Sequence, residues 1–193
     1  QVWSLPGATV VALDSTSPHR TISNGRIHLD QLEFCRRAFR AAPPDAARIV
    51  VAHHHFSPAP DFERDHTMPK AKRALDLFVE LEVDLVLGGH LHRGYIGNSL
   101  DVYPGKDRSH GIIIVQCGTT TSRRGRGRER EKNSFNLVRG DEESIRISHH
   151  LFFDDLGEFR PVSRHLFPRA GRRFIAGRND SRGAATRPER PPT

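Results

Sequence analysis

Val83-Asp84-Leu85-Val86-Leu87-Gly88-Gly89-His90-Leu91-His92 is the stretch on which the reading of this sequence turns. A short apolar run pairs into a buried strand, and this one ends at two glycines that let backbone and ligand approach closely. Two imidazoles follow, one residue apart. In extended backbone the side chains of residues i and i+2 point to the same face, so His90 and His92 can converge on one ion. A second run, Ile49-Val50-Val51-Ala52, also ends in imidazoles, at His53, His54 and His55. Two strands ending in histidine predict a metal site at one edge of a sheet.

Working outward, Ala8-Thr9-Val10-Val11-Ala12-Leu13 reads as a strand followed by turn residues Asp14-Ser15-Thr16-Ser17-Pro18, and Asn24-Gly25 marks another turn. From Leu29 the period changes: Leu32, Cys35 and Phe39 recur at helical spacing until Pro43-Pro44 stops the helix. After the strand at 49–52, a proline-bearing loop leads to a second helix in which Ala71, Leu75, Phe78 and Val79 share a face. Strand, helix, strand, helix, strand predicts an α/β layer with parallel strands, whose carboxyl ends lie on one edge. Both histidine groups would emerge there. Three β-branched or alternating runs follow, 111–116, 134–139 and 145–153, separated by turns at Pro104-Gly105, Gly125, Gly127 and Gly140-Asp141, and they are expected as antiparallel strands added to the sheet. From residue 159 to 193 the chain is rich in Arg, Pro and Gly, the composition of a disordered tail.

The 193 residues suffice for one domain with a real core, here assigned to 1–158. The net charge of +7 comes almost wholly from arginine, which fits an anionic partner or simply biased residue usage. Cys35 and Cys117 match no zinc or redox spacing and read as small buried hydrophobes of a reduced, cytoplasmic chain. No apolar stretch is long enough for a membrane span, so no membrane partner is expected.

His53-His54-His55 after a strand, then a helix, then Gly88-Gly89-His90-Leu91-His92, resembles the final two metal motifs of the calcineurin-like metallophosphoesterases, in the branch with cyclic-nucleotide phosphodiesterases. Leu13-Asp14-Ser15, Asn24-Gly25-Arg26 and the helix through Gln31-Leu32 are similar to the segment that precedes those motifs. The resemblance implies an α/β double-sheet sandwich, two transition metals drawn from manganese, iron and zinc, and hydrolysis of a phosphodiester or phosphomonoester by a metal-activated water. It implies His53 and His90 on one metal and His92 on the other, with His54 in a catalytic or supporting role; the triple histidine leaves that register open by one. His55 is read as a solvent-facing or packing residue. The opening motifs of the family, Asp-x-His, Gly-Asp-x-x-Asp and Gly-Asn-His-Asp, do not occur. The chain therefore resembles only the C-terminal half of the domain, a truncated piece expected to hold at most one metal, to turn over little substrate, and to dimerise or aggregate through exposed sheet faces.

The loop Ser122 to Arg130 carries five arginines. Arg123 and Arg124 are its candidate substrate-binding residues, able to hold a small-molecule phosphoester bidentately. The loop could instead contact nucleic acid, making the protein a non-catalytic metal- or nucleic-acid-binding module, or it could be a solvated loop. Asp65 and His66 could approach the site from the loop above it. Asp14, Asn98 and Asp101 are further candidates, and Tyr95 and Tyr103 read as packing residues.

Overall fold

The computed structural model describes residues 1–16, 25–60, 66–103 and 111–169. Asp65, the turns at Ser17-Pro18 and Pro104-Gly105, and residues 170–193 of the expected tail lie outside them. In chain order the elements are β1 Val2–Leu5, β2 Ala8–Ala12, α1 Leu29–Arg40, β3 Ala47–Val51, α2 Ala71–Glu80, β4 Leu85–Gly88, β5 Tyr95–Asn98, α3 Ser99–Val102, β6 Ile113–Gln116, a 3-10 turn Gly127–Glu129, β7 Ser134–Gly140, β8 Ser144–Phe153 and β9 Glu158–Pro168.

The predicted parallel layer forms, in the strand order β1-β2-β3-β4-β6-β5. Strands β2, β3, β4 and β6 are parallel, and the edge strands β1 and β5 run antiparallel to their neighbours. The apolar stripe of α1 buries Leu32, Cys35 and Phe39, and that of α2 buries Ala71, Ala74, Leu75, Leu77 and Phe78. Both stripes pack on Val11, Val50, Val86 and Ile112 of one sheet face. Phe78 also meets Phe56 edge-on, with ring centroids 5.6 Å apart, and truncating a phenyl group buried in this way costs about 3–5 kcal/mol.

On the opposite face the expectation needs correcting. Strand 113–116 joins the first sheet parallel to β4, and β7, β8 and β9 form a sheet of their own instead of extending the first. The alternation along β8 accounts for this: Ile145 and Ile147 point inward and close a second core against Leu85, Ile113 and Val115. Residues 159–168, expected to belong to the tail, are β9. Ten-residue β8 gives them a full-length antiparallel partner, and Pro161 is tolerated beside a register shift on an edge strand. The result is a layered α/β fold with two sheets. None of the helices among the described residues is long and apolar enough to cross a membrane.

Candidate metal centre and anion pocket

Strands β3 and β4 are neighbours, with Val51 opposite Leu87, so their carboxyl ends deliver two histidine segments side by side. Gly89 N donates to His53 O at 3.0 Å and fastens one segment to the other. The premise that His90 and His92 continue an extended strand fails here. Strand β4 stops at Gly88, and both histidines take left-handed backbone, with φ of 72° and 55°. Leu91 N donates to Gly89 O at 2.9 Å, closing a three-residue turn around His90. Left-handed conformations cost an ordinary residue about 1–2 kcal/mol, and such strain persists where the surroundings impose it, often at functional sites.

The turn brings His90 onto the first group. Ligand nitrogens of His53, His54 and His90 all lie within 4.8 Å of one another. His90 Nδ1 and His53 Nε2 are 3.3 Å apart. In a tetrahedral zinc site with Zn–N bonds of about 2.0–2.1 Å, adjacent nitrogens stand about 3.3–3.4 Å apart, so this pair is spaced for a shared ion. Burial pulls the His90 imidazole down to about 4, and the neighbouring rings of His54, His53, His55 and His92 add to the effect. His90 is therefore neutral, with a lone pair to offer, at ordinary pH.

His54 is buried, and its environment selects the coordinating atom. Ser15 Oγ accepts from His54 N at 3.2 Å and lies 2.9 Å from His54 Nδ1. With Nδ1 donating to that oxygen, the lone pair is on Nε2, the arrangement that orients a metal-binding imidazole. Sequence reading placed Ser15 in a turn and in the family-like segment but not against His54, because that partner is 39 residues away. His55 is fully buried and stacks on His90, with centroids 5.9 Å apart and planes 13° apart, so it packs the cluster and does not face solvent.

His92 stands outside the three-residue cluster; its Nδ1 faces Arg124 O at 3.3 Å, and its own carbonyl accepts from Arg126 N at 2.8 Å. These contacts bring the arginine loop to the histidine edge. His90, Leu91, His92, Arg124, Gly125 and Arg126 line a cavity of about 670 Å³. Arg124 is on its wall. Arg123 is not among the lining residues and instead acts on the exposed carboxylate of Asp154. Arg126, which sequence reasoning did not single out, takes the second position.

The other candidates have local duties. Asp14 caps its own turn through Thr16 N at 2.8 Å. Asn98 and Asp101 form the capping box of α3, with Leu100 N donating to Asn98 Oδ1 at 2.9 Å and Asn98 N to Asp101 Oδ2 at 3.0 Å. Tyr95 donates to Ser57 O at 2.7 Å, and Tyr103 packs on the helix-side core. His66 is exposed.

No protein-family model and no curated protein matches the chain. Solved structures do. GAP50, the anchor in the inner membrane complex of Plasmodium, superposes with a TM-score of 0.52 at 15% identity over 86% of this chain and 51% of that one. The chain thus spans about half the length of the Plasmodium protein. Zinc-complexed Vps29 of Entamoeba histolytica matches at TM-score 0.36 and 15% identity, over 81% of this chain and 98% of that one. A predicted phosphoesterase of Streptococcus pneumoniae matches at 0.36 and 15%, over 86% and 100%. At such identities the likeness is one of fold, and it is the Plasmodium structure that carries it.

Proposed function

We propose that this chain is a metal-dependent, phosphoester-binding protein of the hydrolase type. His53, His54 and His90 hold one divalent transition-metal ion, and Arg124 and Arg126 hold the phosphate of a small-molecule ester beside it. The observation that carries the reading is the convergence of three ring nitrogens within 4.8 Å at the edge of a cavity that two arginines wall. Three imidazole ligands suit zinc best among the metals the family resemblance implies. A second ion has no such support, since the convergent group contains no carboxylate to bridge two ions and His92 is engaged by a backbone carbonyl.

When bound, the ion would supply a Lewis acid for a phosphoryl oxygen. The chain's own residues do the rest. Ser15 keeps the proton of His54 on Nδ1 and the lone pair on Nε2. Arg124 and Arg126 offer planar donor pairs that match phosphate oxygens and offset their charge. His92, with Nδ1 on Arg124 O, holds the arginine loop against the cavity wall. Without a bridging carboxylate, turnover by this chain is expected to be slight.

Titration with zinc or cobalt, followed by calorimetry and the cobalt absorption spectrum, tests the reading. One ion per chain is expected, lost in His53→Ala and His90→Ala and retained in His92→Ala. A stoichiometry of two, or binding indifferent to His53 and His90, would sink it. A manganese-supplemented phosphodiesterase assay adds the catalytic half, where robust hydrolysis that disappears in His90→Ala would overturn the expectation of slight turnover. A second reading, nucleic-acid binding, draws on the exposure of Arg123, Arg124, Arg126, Arg128 and Arg130. Salt-dependent retention of single-stranded RNA that survives His90→Ala and vanishes when these arginines are replaced would favour it.

A further inference from the structure

Within the arginine loop one residue behaves unlike its neighbours. Arg126, Arg128 and Arg130 are exposed, yet Glu129 is 5% exposed. Its carboxylate accepts from Gly94 N at 2.6 Å and from Ser134 Oγ at 2.5 Å, and it stands 3.0 Å from His149 Nε2. The other ring nitrogen of His149 faces Asn136 Oδ1 at 2.7 Å. The orientation of Asn136 is fixed, because its Nδ2 donates to Gln116 O at 2.9 Å. Both ring nitrogens of His149 therefore face oxygens, one of Asn136 and one of the buried Glu129 carboxylate, so the ring bridges the two.

The packing around this carboxylate leaves no slack. A Cβ at Gly94 would collide with Glu129 Oε1 and the His149 ring, and one at Gly118 would collide with Glu129 Oε2 and Ser134 Oγ. Glycine at these two places is what lets three segments close on one anion. Burial pushes the Glu129 carboxyl up, but the hydrogen bonds from His149, Ser134 and Gly94 outweigh it and hold the group below the usual carboxylate range.

What the carboxylate joins gives it a role. Gly94 lies two residues after His92, and Arg124 and Arg126 lie five and three residues before Glu129. One end of its hydrogen-bond set is thus the histidine turn, and the loop it belongs to forms the opposite wall of the 670 Å³ cavity. Five arginines in nine residues repel one another, and nothing in that repulsion would bring two of them to a common cavity. The geometry points to Glu129 as a positioning residue: its buried carboxylate, shared with His149 and Ser134, clamps the arginine loop to the histidine turn so that Arg124 and Arg126 form an anion subsite for phosphate. This assignment rests on the phosphoester reading above and adds to it the residue that builds the subsite.

The test measures two affinities on the full chain, for cobalt ion and for inorganic phosphate, the latter with and without cobalt. Glu129→Gln keeps the shape and removes the charge. It should leave cobalt affinity within about threefold and weaken phosphate at least about tenfold, a change of about 1.4 kcal/mol. Arg124→Ala should weaken phosphate to a similar degree, and the two changes together should cost far less than their sum, because both act through one loop position. If Glu129→Gln fails to fold, Ser134→Ala removes one of the three partners and should weaken phosphate about threefold. Lower thermal stability with unchanged phosphate affinity in these variants would reduce Glu129 to a structural role and overturn the proposal. So would wild-type protein that binds no phosphate with or without cobalt. Phosphate binding that depends on Glu129 in a chain that takes up no cobalt would uphold the clamp and sink the metal reading, whereas cobalt bound with phosphate indifferent to Glu129 would do the reverse.

Discussion

The two ends of the parallel sheet hold two cavities of opposite character. At the carboxyl end is the cavity of about 670 Å³ lined by His90, His92, Arg124 and Arg126. At the amino end, between β1–β3 and the second sheet, is a larger groove of about 1020 Å³ whose wall runs through Leu5, Val10, Ile49, Leu87, Val138 and Ile145. Of its three acids, Asp45, Asp141 and Glu142, Asp141 is occupied with its own turn, accepting from Ser144 N at 2.7 Å and Glu143 N at 3.0 Å. Size alone would select the groove; convergent polar groups on strained backbone select the histidine edge. What separates the ends is strand direction, since every parallel strand that ends in histidine ends on the same side.

The sharpest way to break the comparison is to remove a ligand. His90→Ala should lower zinc affinity by more than about 100-fold, beyond the 10–100-fold usual for losing an outer partner of a metal-binding imidazole. In the groove, Leu5→Ser should leave zinc and phosphate affinity unchanged and shift stability within about 0.5 kcal/mol, as expected for a half-exposed edge residue. A groove variant that altered metal affinity would mean that the two ends are coupled. The next effect is smaller. Ser15→Ala removes the acceptor that orients His54 and should weaken zinc about tenfold, the lower part of that outer-partner range, with a stability loss of about 1–3 kcal/mol from the buried hydrogen bonds it unmakes. Equal zinc affinity in Ser15→Ala would remove His54 from the ligand set.

These contrasts also mark what the sequence made legible. The apolar runs at 49–52 and 83–88, the helical spacing of Leu32, Cys35 and Phe39, and the histidines beyond the strands foretell the parallel layer and its chemical edge. Edge strands were harder to see. β1 is four exposed residues held by a hairpin in which Leu5 pairs with Ala8 and Gly7 takes φ 72°, so Pro6-Gly7 was its only signal. β5 contains Gly97 and is half-buried throughout, with no alternation to read. β9 does alternate, with Phe159, Ser163, His165 and Phe167 half-buried, but its Arg and Pro content masked the period. At the site, a left-handed turn brought His90 to His53 and His54 and left His92 outside that cluster. Backbone twist of that kind follows from packing against neighbouring segments and leaves no mark on local composition. Glu129 was legible only as a charge; its burial depends on His149 and Ser134, which come from the second sheet.

The last expected effect concerns acid. The folded carboxyl of Glu129 is held below its ordinary value of 4.5, so between that depressed value and 4.5 the unfolded chain binds more protons than the folded one. Stability from this group is therefore complete above about 4.5 and is lost as pH falls through the folded value. Glu129→Gln, which does not titrate, should be less stable than the wild type by about 1–3 kcal/mol near pH 7, the range for unmaking buried hydrogen bonds to a charged group. Urea unfolding at a series of pH values should show that gap narrowing below about 4.5, where the wild type loses the Glu129 contribution and the variant has none to lose. Asp141, at the groove end, is also held low, first by the hydrogen bond from Ser144 N, but it stands in solvent, so Asp141→Asn should change the acid limb less than Glu129→Gln does. A gap between wild type and Glu129→Gln that stayed the same at every pH would show that the carboxylate's shape, and not its charge, holds the arginine loop to the histidine turn.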